Sequence, residues 1–198
     1  PKYANSVAIN GDPREAGAAF AAVMAASVAN GGSFDDIMPG IEYFAEMKEA
    51  GNLIVIDVTE AAIASGEVPI AIDWTYNFPG IIPALEEVGV TIEVVVPSDG
   101  LYGGFYAQAV VADSPNPNAA KLWIEHITSD AGALGYLRGG AIPARYGSLV
   151  ERGLVDEDTA KNLPTQEQID AISFPSKEQI DAANAVLLEN WGPMVADQ

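Results

Sequence analysis

Short apolar runs alternate with longer, punctuated helical stretches along most of the chain. The runs are "YANSVAING" (3–11), "LIVIDV" (53–58), "VPIAID" (68–73), "VTIEVVVP" (90–97) and "FYAQAVVA" (105–112). Each is short and bounded by turn residues or helical stretches, so each reads as a strand. Between them, "DPREAGAAFAAVMAASVANGG" (12–32) predicts a helix with Asp12 as N-cap, Pro13 at the first position and Glu15 at the positive helix end. "SFDDIMPGIEYFAEMKEAGN" (33–52) predicts a second helix with Ile41, Phe44, Ala45 and Met47 on its apolar side, stopped at Gly51. "TEAAIASG" (59–66), capped by Thr59, and "IIPALEEVG" (81–89) are short helices. "SPNPNAAKLWIEHITSDAGALGYLRGG" (114–140) reads as a Pro-initiated helix and a second helical stretch, and "SKEQIDAANAVLLENWGPMV" (176–195) as a C-terminal helix. Such alternation predicts an α/β fold with a parallel or mixed sheet. No internal repeat accompanies it.

The chain has 198 residues, 49% of them hydrophobic, which suits one large domain or two small lobes. No uninterrupted apolar run is long enough to span a bilayer. The opening "PKYANSVAINGDPREAG" lacks the order of a leader peptide, as a mature or excised chain also would. With no cysteine, disulfides, thiolate metal sites and a cysteine nucleophile are excluded. The single histidine, His126, shares a helical face with Leu122, Trp123 and Ile127 and is expected to pack there. Twenty-eight acidic against nine basic residues give a net charge of −19, which repels phosphate backbones and argues against nucleic-acid binding. The simplest reading of that charge is a solubilising coat.

Four places could carry chemistry. The strand "VPIAI" runs out into Asp73, Trp74, Thr75, Tyr76 and Asn77, a row of hydrogen-bonding and stacking groups closed by Pro79-Gly80. Ligands of open α/β sheets lie outside the carboxyl ends of strands, where this row would stand. A strand-end turn with Trp74 in the core is the plainer alternative. The loop "SDGLYGGFYAQ" brings Gly100, Gly103 and Gly104 together with Tyr102, Tyr106 and Gln108; it lacks the lysine of a phosphate-binding loop and the dinucleotide glycine pattern. Asp12 and Arg14 stand at a helix start that would attract an anion. "RGGAIPARYG" (138–147), with Arg145, reads as a hinge or a connector. No nucleophile lies beside a base, and no metal or cofactor is expected.

These motifs, in this order, resemble the extracellular solute-binding proteins of ABC importers, in the group that includes iron(III), thiamine, polyamine and phosphonate binders. "NGDPREAGAAF" is similar to the crossover strand and first helix of the second lobe. "GNLIVIDVTEAAIASGEVPIAIDWTYN" is similar to the family's helix, apolar strand and polar aromatic end. "VVVPSDGLYGGFYAQAVVADSPNPNAAKLWIEHITSDAGALGYLRGGAIPAR" resembles its Pro-x-x-Gly turn, return strand, Pro-containing loop, long helix and Gly-x-x-Pro turn.

The resemblance implies a periplasmic binding protein type II-like fold, two α/β lobes joined by crossover strands, with the first lobe incomplete. Residues 1–98 would form the second lobe, entered through a hinge strand at 1–8. Residues 99–150 would be a return segment of the first lobe, and 151–198 a helical segment returning to the second. The N-terminal portion of the first lobe would be missing from the chain. Asp73 to Asn77 and Tyr102 to Gln108 would then line an interlobe cleft, and hinge closure would present the loaded form to a membrane permease. The implied protein is a monomer, periplasmic or extracellular, with lipid anchoring an open option. There is no Tyr-Tyr pair of the iron binders, and neutral Tyr106 stands where polyamine binders carry an acid. A small polar organic solute is the remaining expectation. Two alternatives stay open: an enzyme using Asp73 as base with Tyr76 or Tyr106 as acid, and an effector-sensing domain.

Overall fold

A computed structural model describes residues 2–54, 56–160 and 163–197. Its centre is a small parallel sheet of β1 (Val7–Ile9), β2 (Leu53–Ile54) and β3 (Ile70–Ile72) in the order β2-β1-β3. Val7 pairs with Leu53 on one side and Ile70 on the other, so β1 is the middle strand. Parallel neighbours need crossover connections, and the helices between the strands supply them. α1 (Gly17–Ala29) and α2 (Met38–Glu49) carry the chain from β1 to β2, and α3 (Glu60–Ala64) carries it from β2 across to β3.

Side chains alternate across the sheet, and each face therefore has its own core. Ile9 and Leu53 join Phe20, Val23 and Met24 of α1, Ile41 and Phe44 of α2, and Leu187 and Trp191 of α10 (Lys177–Trp191). On the other face Ala8 meets Ala62 and Ile63 of α3, Val68, and Leu85 of α4 (Ile82–Glu87). Helices on both faces complete a mixed helix and parallel-sheet architecture compatible with an α/β solute-binding fold. The Phe44 and Trp191 rings meet edge to face with centroids 5.8 Å apart, anchoring the late helix α10 to the early core. Gly40 of α2 lies against the α1 backbone, where a Cβ would come within 2.1 Å of the Val23 carbonyl oxygen.

Local signals explain most helix ends. Thr59 Oγ1 accepts a bond from the Ala62 N–H at 3.1 Å and starts α3 as expected. Gly51, at φ 70°, ends the turn after α2. Ser176 and Gln179 form a reciprocal capping box at the start of α10. The Gln179 amide also donates to Asp35 at 3.0 Å, tying α10 to the approach to α2.

Farther on come α5 (Pro117–Thr128), α6 (Asp130–Arg138), α7 (Tyr146–Glu151), α8 (Glu157–Ala160) and α9 (Gln166–Ala171), and α6 and α7 meet in a small third cluster of Ala133, Leu137 and Leu149. Arg152 grips Asp130 through two bonds of 2.7 Å, and Arg145 reaches the same carboxylate at 3.0 Å.

Several expectations are corrected here. Asp12 does not cap α1: the helix begins at Gly17 after Ala16, because residues 13–15 form a turn closed by the Glu15 and Ala16 N–H groups donating to the Asp12 carbonyl. The β2 strand is shorter than "LIVIDV", whose Val55 lies outside the described residues. "VTIEVVVP" and "FYAQAVVA" form no strands. Among the described residues they meet no ladder partner, and Val95, Phe105 and Val111 remain more than 70% exposed. His126 is not packed into a core either. The α5 face that carries it has no covering element, leaving Leu122 and Trp123 exposed with His126 beside the indole.

Candidate functional site

Parallel strands of one sheet end on the same side, so whatever follows β1 and β3 is brought together by the topology alone. Asn10 follows β1 and Asp73 follows β3. The Asn10 N–H donates to the Ile72 carbonyl at 3.3 Å, extending the ladder by one step. The Asn10 amide then donates to Asp73 Oδ2 at 2.8 Å. After Asp73 the chain turns through a single 3₁₀ turn, Thr75–Asn77. That turn swings Asn77 back so that its amide also donates to Asp73 Oδ2, at 2.8 Å, while the Trp74 N–H donates to Oδ1 at 2.7 Å. Three neutral donors thus fix one half-buried carboxylate at the meeting point of two strands.

Beside it lies an open depression of about 280 Å³. Asn10, Asp73, Asn77, Thr59, Glu60 and Phe78 are among the residues lining it. Thr59 and Glu60 begin α3, which follows β2, so the sequel of every strand contributes to this edge.

On from Asp73 a row of rings begins. Trp74 and Tyr76 lie nearly parallel, 10° apart with centroids at 6.4 Å. Tyr102 tilts against Trp74 at 6.1 Å, and Phe34 meets Tyr102 edge-on at 5.9 Å. At the other end Tyr106 meets Tyr76 edge-on, and their hydroxyls share a hydrogen bond of 2.9 Å. Withdrawal from water raises the Tyr76 phenol well above its ordinary value, and the bond to Tyr106 and the negative charge of Asp73 push the same way. Burial likewise raises Tyr102. Both phenols therefore keep their protons to higher pH than a free tyrosine does.

The glycine loop serves this row by proximity. A Cβ on Gly104 would stand 2.7 Å from the end of the Trp74 indole, so the loop can lie on the ring only without a side chain there. Gly103 is buried against Ile172 and Phe174, and its N–H donates to the Ser173 carbonyl at 2.9 Å. The Gln168 amide donates to the Val96 carbonyl at 3.1 Å, so the α9 segment holds both ends of the loop that carries Tyr102.

The structure gathers Asp73, Trp74, Tyr76, Asn77, Tyr102, Gly104 and Tyr106 into one continuous group, with Thr75 in the turn between the rings and Gly103 behind Tyr102. Gln108 sits apart from Asp73: its side chain accepts from the Trp123 indole at 3.0 Å and donates to the Tyr136 hydroxyl at 3.2 Å, linking α5 and α6. Asp12 and Arg14 bind each other, with the guanidinium donating to both carboxylate oxygens. That pairing holds the Asp12 carboxyl below the usual carboxylate range. Sequence reasoning missed Asn10, Thr59 and Glu60 as site residues. "Asn-Gly" after a strand reads as a turn, and Thr59 reads as a cap; only the strand order reveals that both ends face Asp73.

Among the described residues no cluster of acids and imidazole suits a metal ion, and no helix is long and apolar enough to cross a membrane. No curated protein matches the sequence. A family model, bacterial extracellular solute-binding protein, matches residues 1–164. The match takes in all three strands and every residue of the Asp73 group and its ring row, and the chain belongs to that family of bacterial transport systems.

Proposed function

We propose that this protein captures a small polar organic solute at the carboxyl edge of its sheet and delivers it to the permease of an ABC importer. The observation that carries the reading is the Asp73 carboxylate, fixed by Asn10, Asn77 and the Trp74 N–H beside an open depression and a row of aromatic faces. Such a group is preorganised: directional acceptors and flat surfaces already stand in place, so little ordering is left for the bound state. Asp73 has donors on both oxygens and no nucleophile among its bonded neighbours, an arrangement that favours holding a solute over transforming it.

In this reading residues 1–98 belong to the second lobe with a hinge at 1–8, residues 99–150 return to the first lobe, and the segment from 151 onward returns to the second. The loop bearing Tyr102 and Tyr106 forms the opposing wall, and lobe closure over the solute creates the shape the permease reads. The protein works as a monomer outside the cytoplasmic membrane.

The test is a thermal-shift and calorimetric screen of metabolite classes on the full-length protein. A solute that binds the native state raises the melting temperature by mass action, by about 2.7 kcal/mol of stabilisation at one hundred times its dissociation constant. Absence of any shift across sugars, amines, amino acids, carboxylates and phosphonates at millimolar concentration refutes the reading.

A further inference from the structure

The charge of the solute follows from what surrounds Asp73. The depression includes two carboxylates, Glu60 and Asp73, in its lining and no basic side chain. The three groups bonded to Asp73 are neutral, so they hold its negative charge in place without cancelling it. Of the four guanidiniums, Arg14 is paired with Asp12, Arg145 and Arg152 with Asp130, and Arg138 lines a separate depression with Pro79 and Gly140. The rings that continue from Asp73 add to the same field, because aromatic faces carry the negative end of a quadrupole. An anion in this depression would meet two carboxylates, and no basic side chain lines it. A positive charge would be attracted by both.

Resting on the solute-binding reading, we propose that the solute is a small organic cation, a quaternary or protonated amine, whose charge sits between the Asp73 carboxylate and the faces of Trp74 and Tyr76. Asp73 supplies the charge contact, and the parallel indole and phenol supply the faces for the alkyl groups that surround an ammonium. Tyr106 and Asn77 remain as hydrogen-bonding groups for polar atoms elsewhere on the solute. The expectation of an anion held at the Asp12–Arg14 turn is set aside by the same bookkeeping of charge, since that guanidinium is already paired.

Charge and shape can be separated with matched probes on the full-length protein. Choline, 3,3-dimethylbutan-1-ol and 3,3-dimethylbutanoate present a similar branched head as cation, neutral molecule and anion; a series of alkyl monoamines and diamines extends the cation arm. Titration calorimetry and tryptophan fluorescence read binding. The expected result is that ammonium probes bind at least about tenfold more tightly than their neutral and anionic counterparts. Asp73→Asn should cost the ammonium about tenfold or more, and Trp74→Leu roughly 3- to 30-fold. Glu60→Gln, at the exposed start of α3, is the companion variant should Asp73→Asn fail to fold, with a weaker loss expected. Equal or tighter binding of neutral or anionic probes overturns the cation inference and leaves the solute-binding reading standing. Ammonium affinity unchanged in the folded variants overturns the placement at Asp73. No binding by these probes or by a broad panel of neutral and anionic metabolites overturns the solute-binding reading itself.

Discussion

Replacing Gly40 by alanine tests the closest packing that supports the site. A Cβ at this position would lie 2.1 Å from the Val23 carbonyl oxygen, 2.8 Å from the Ser27 nitrogen and 3.1 Å from the Ser27 Cβ. Ordinary contact begins near 3.4 Å, so α1 and α2 must part by about 1.3 Å to admit the methyl. The clash is with helix backbone, which cannot swing aside as a side-chain tip can. Overpacking of this kind costs roughly 3 kcal/mol. Alanine recovers about 0.5 to 1 kcal/mol of that through helix propensity and lost unfolded-state freedom. The net loss is thus about 2 to 2.5 kcal/mol. With a urea slope of about 2.5 kcal/mol per molar for a chain of this size, the midpoint should fall by about 1 M. Trp191, packed on Phe44 of α2, makes fluorescence a local reporter, and far-UV circular dichroism follows the helices. Gly135→Ala in α6 is the control of opposite sign. Its Cβ would meet nothing within 4 Å, so that variant should gain about 0.5 kcal/mol or slightly more. A Gly40→Ala protein melting at the wild-type urea concentration refutes the tight α1–α2 crossing and the core built on it.

Leu187→Ala removes a fully buried α10 side chain from the same core and should destabilise by about 2 to 5 kcal/mol, read as a lower urea midpoint. Gly104→Ala should leave stability within about 1 kcal/mol but displace the indole of Trp74, shifting tryptophan emission and weakening solute binding severalfold. The raised Tyr76 phenol gives a pH signature. Its folded-state value lies above that of an unfolded tyrosine, so its contribution is fully present below about pH 10 and is lost as pH rises through the folded value. Urea midpoints should decline above pH 10, and Tyr76→Phe should flatten the decline, with Tyr102 supplying a residual slope of the same sign. A Tyr76→Phe protein as alkali-sensitive as wild type would contradict the assigned environment.

The parts of this structure legible in the sequence are those whose signals are local. Thr59 capping α3, Gly51 closing α2 and the apolar positions Ile41 and Phe44 depend on neighbours a few residues away, and they stand as expected. Asp73 to Asn77 could be recognised as a strand end because an apolar run stops there abruptly. What the chain alone conceals is pairing. "VTIEVVVP" and "FYAQAVVA" have strand composition, yet a strand exists only where a ladder partner exists, and the described residues give Tyr102 a single bridge, to Ser173. Asp12 illustrates a competition between local motifs: its carboxylate bonds the Arg14 N–H and side chain, and the helix starts after the turn instead of before it. Asn10 entered the site through strand order, a property of the fold and of no short stretch of residues.

The position of α10 has a consequence for how the chain is made. Ile41 and Phe44 are synthesised well before Leu187 and Trp191, which cover them, and Val195, which completes the same core. At bacterial elongation rates the interval is on the order of ten seconds. Through that interval the nascent polypeptide carries a greasy, uncapped layer, which closes only when translation has passed Val195.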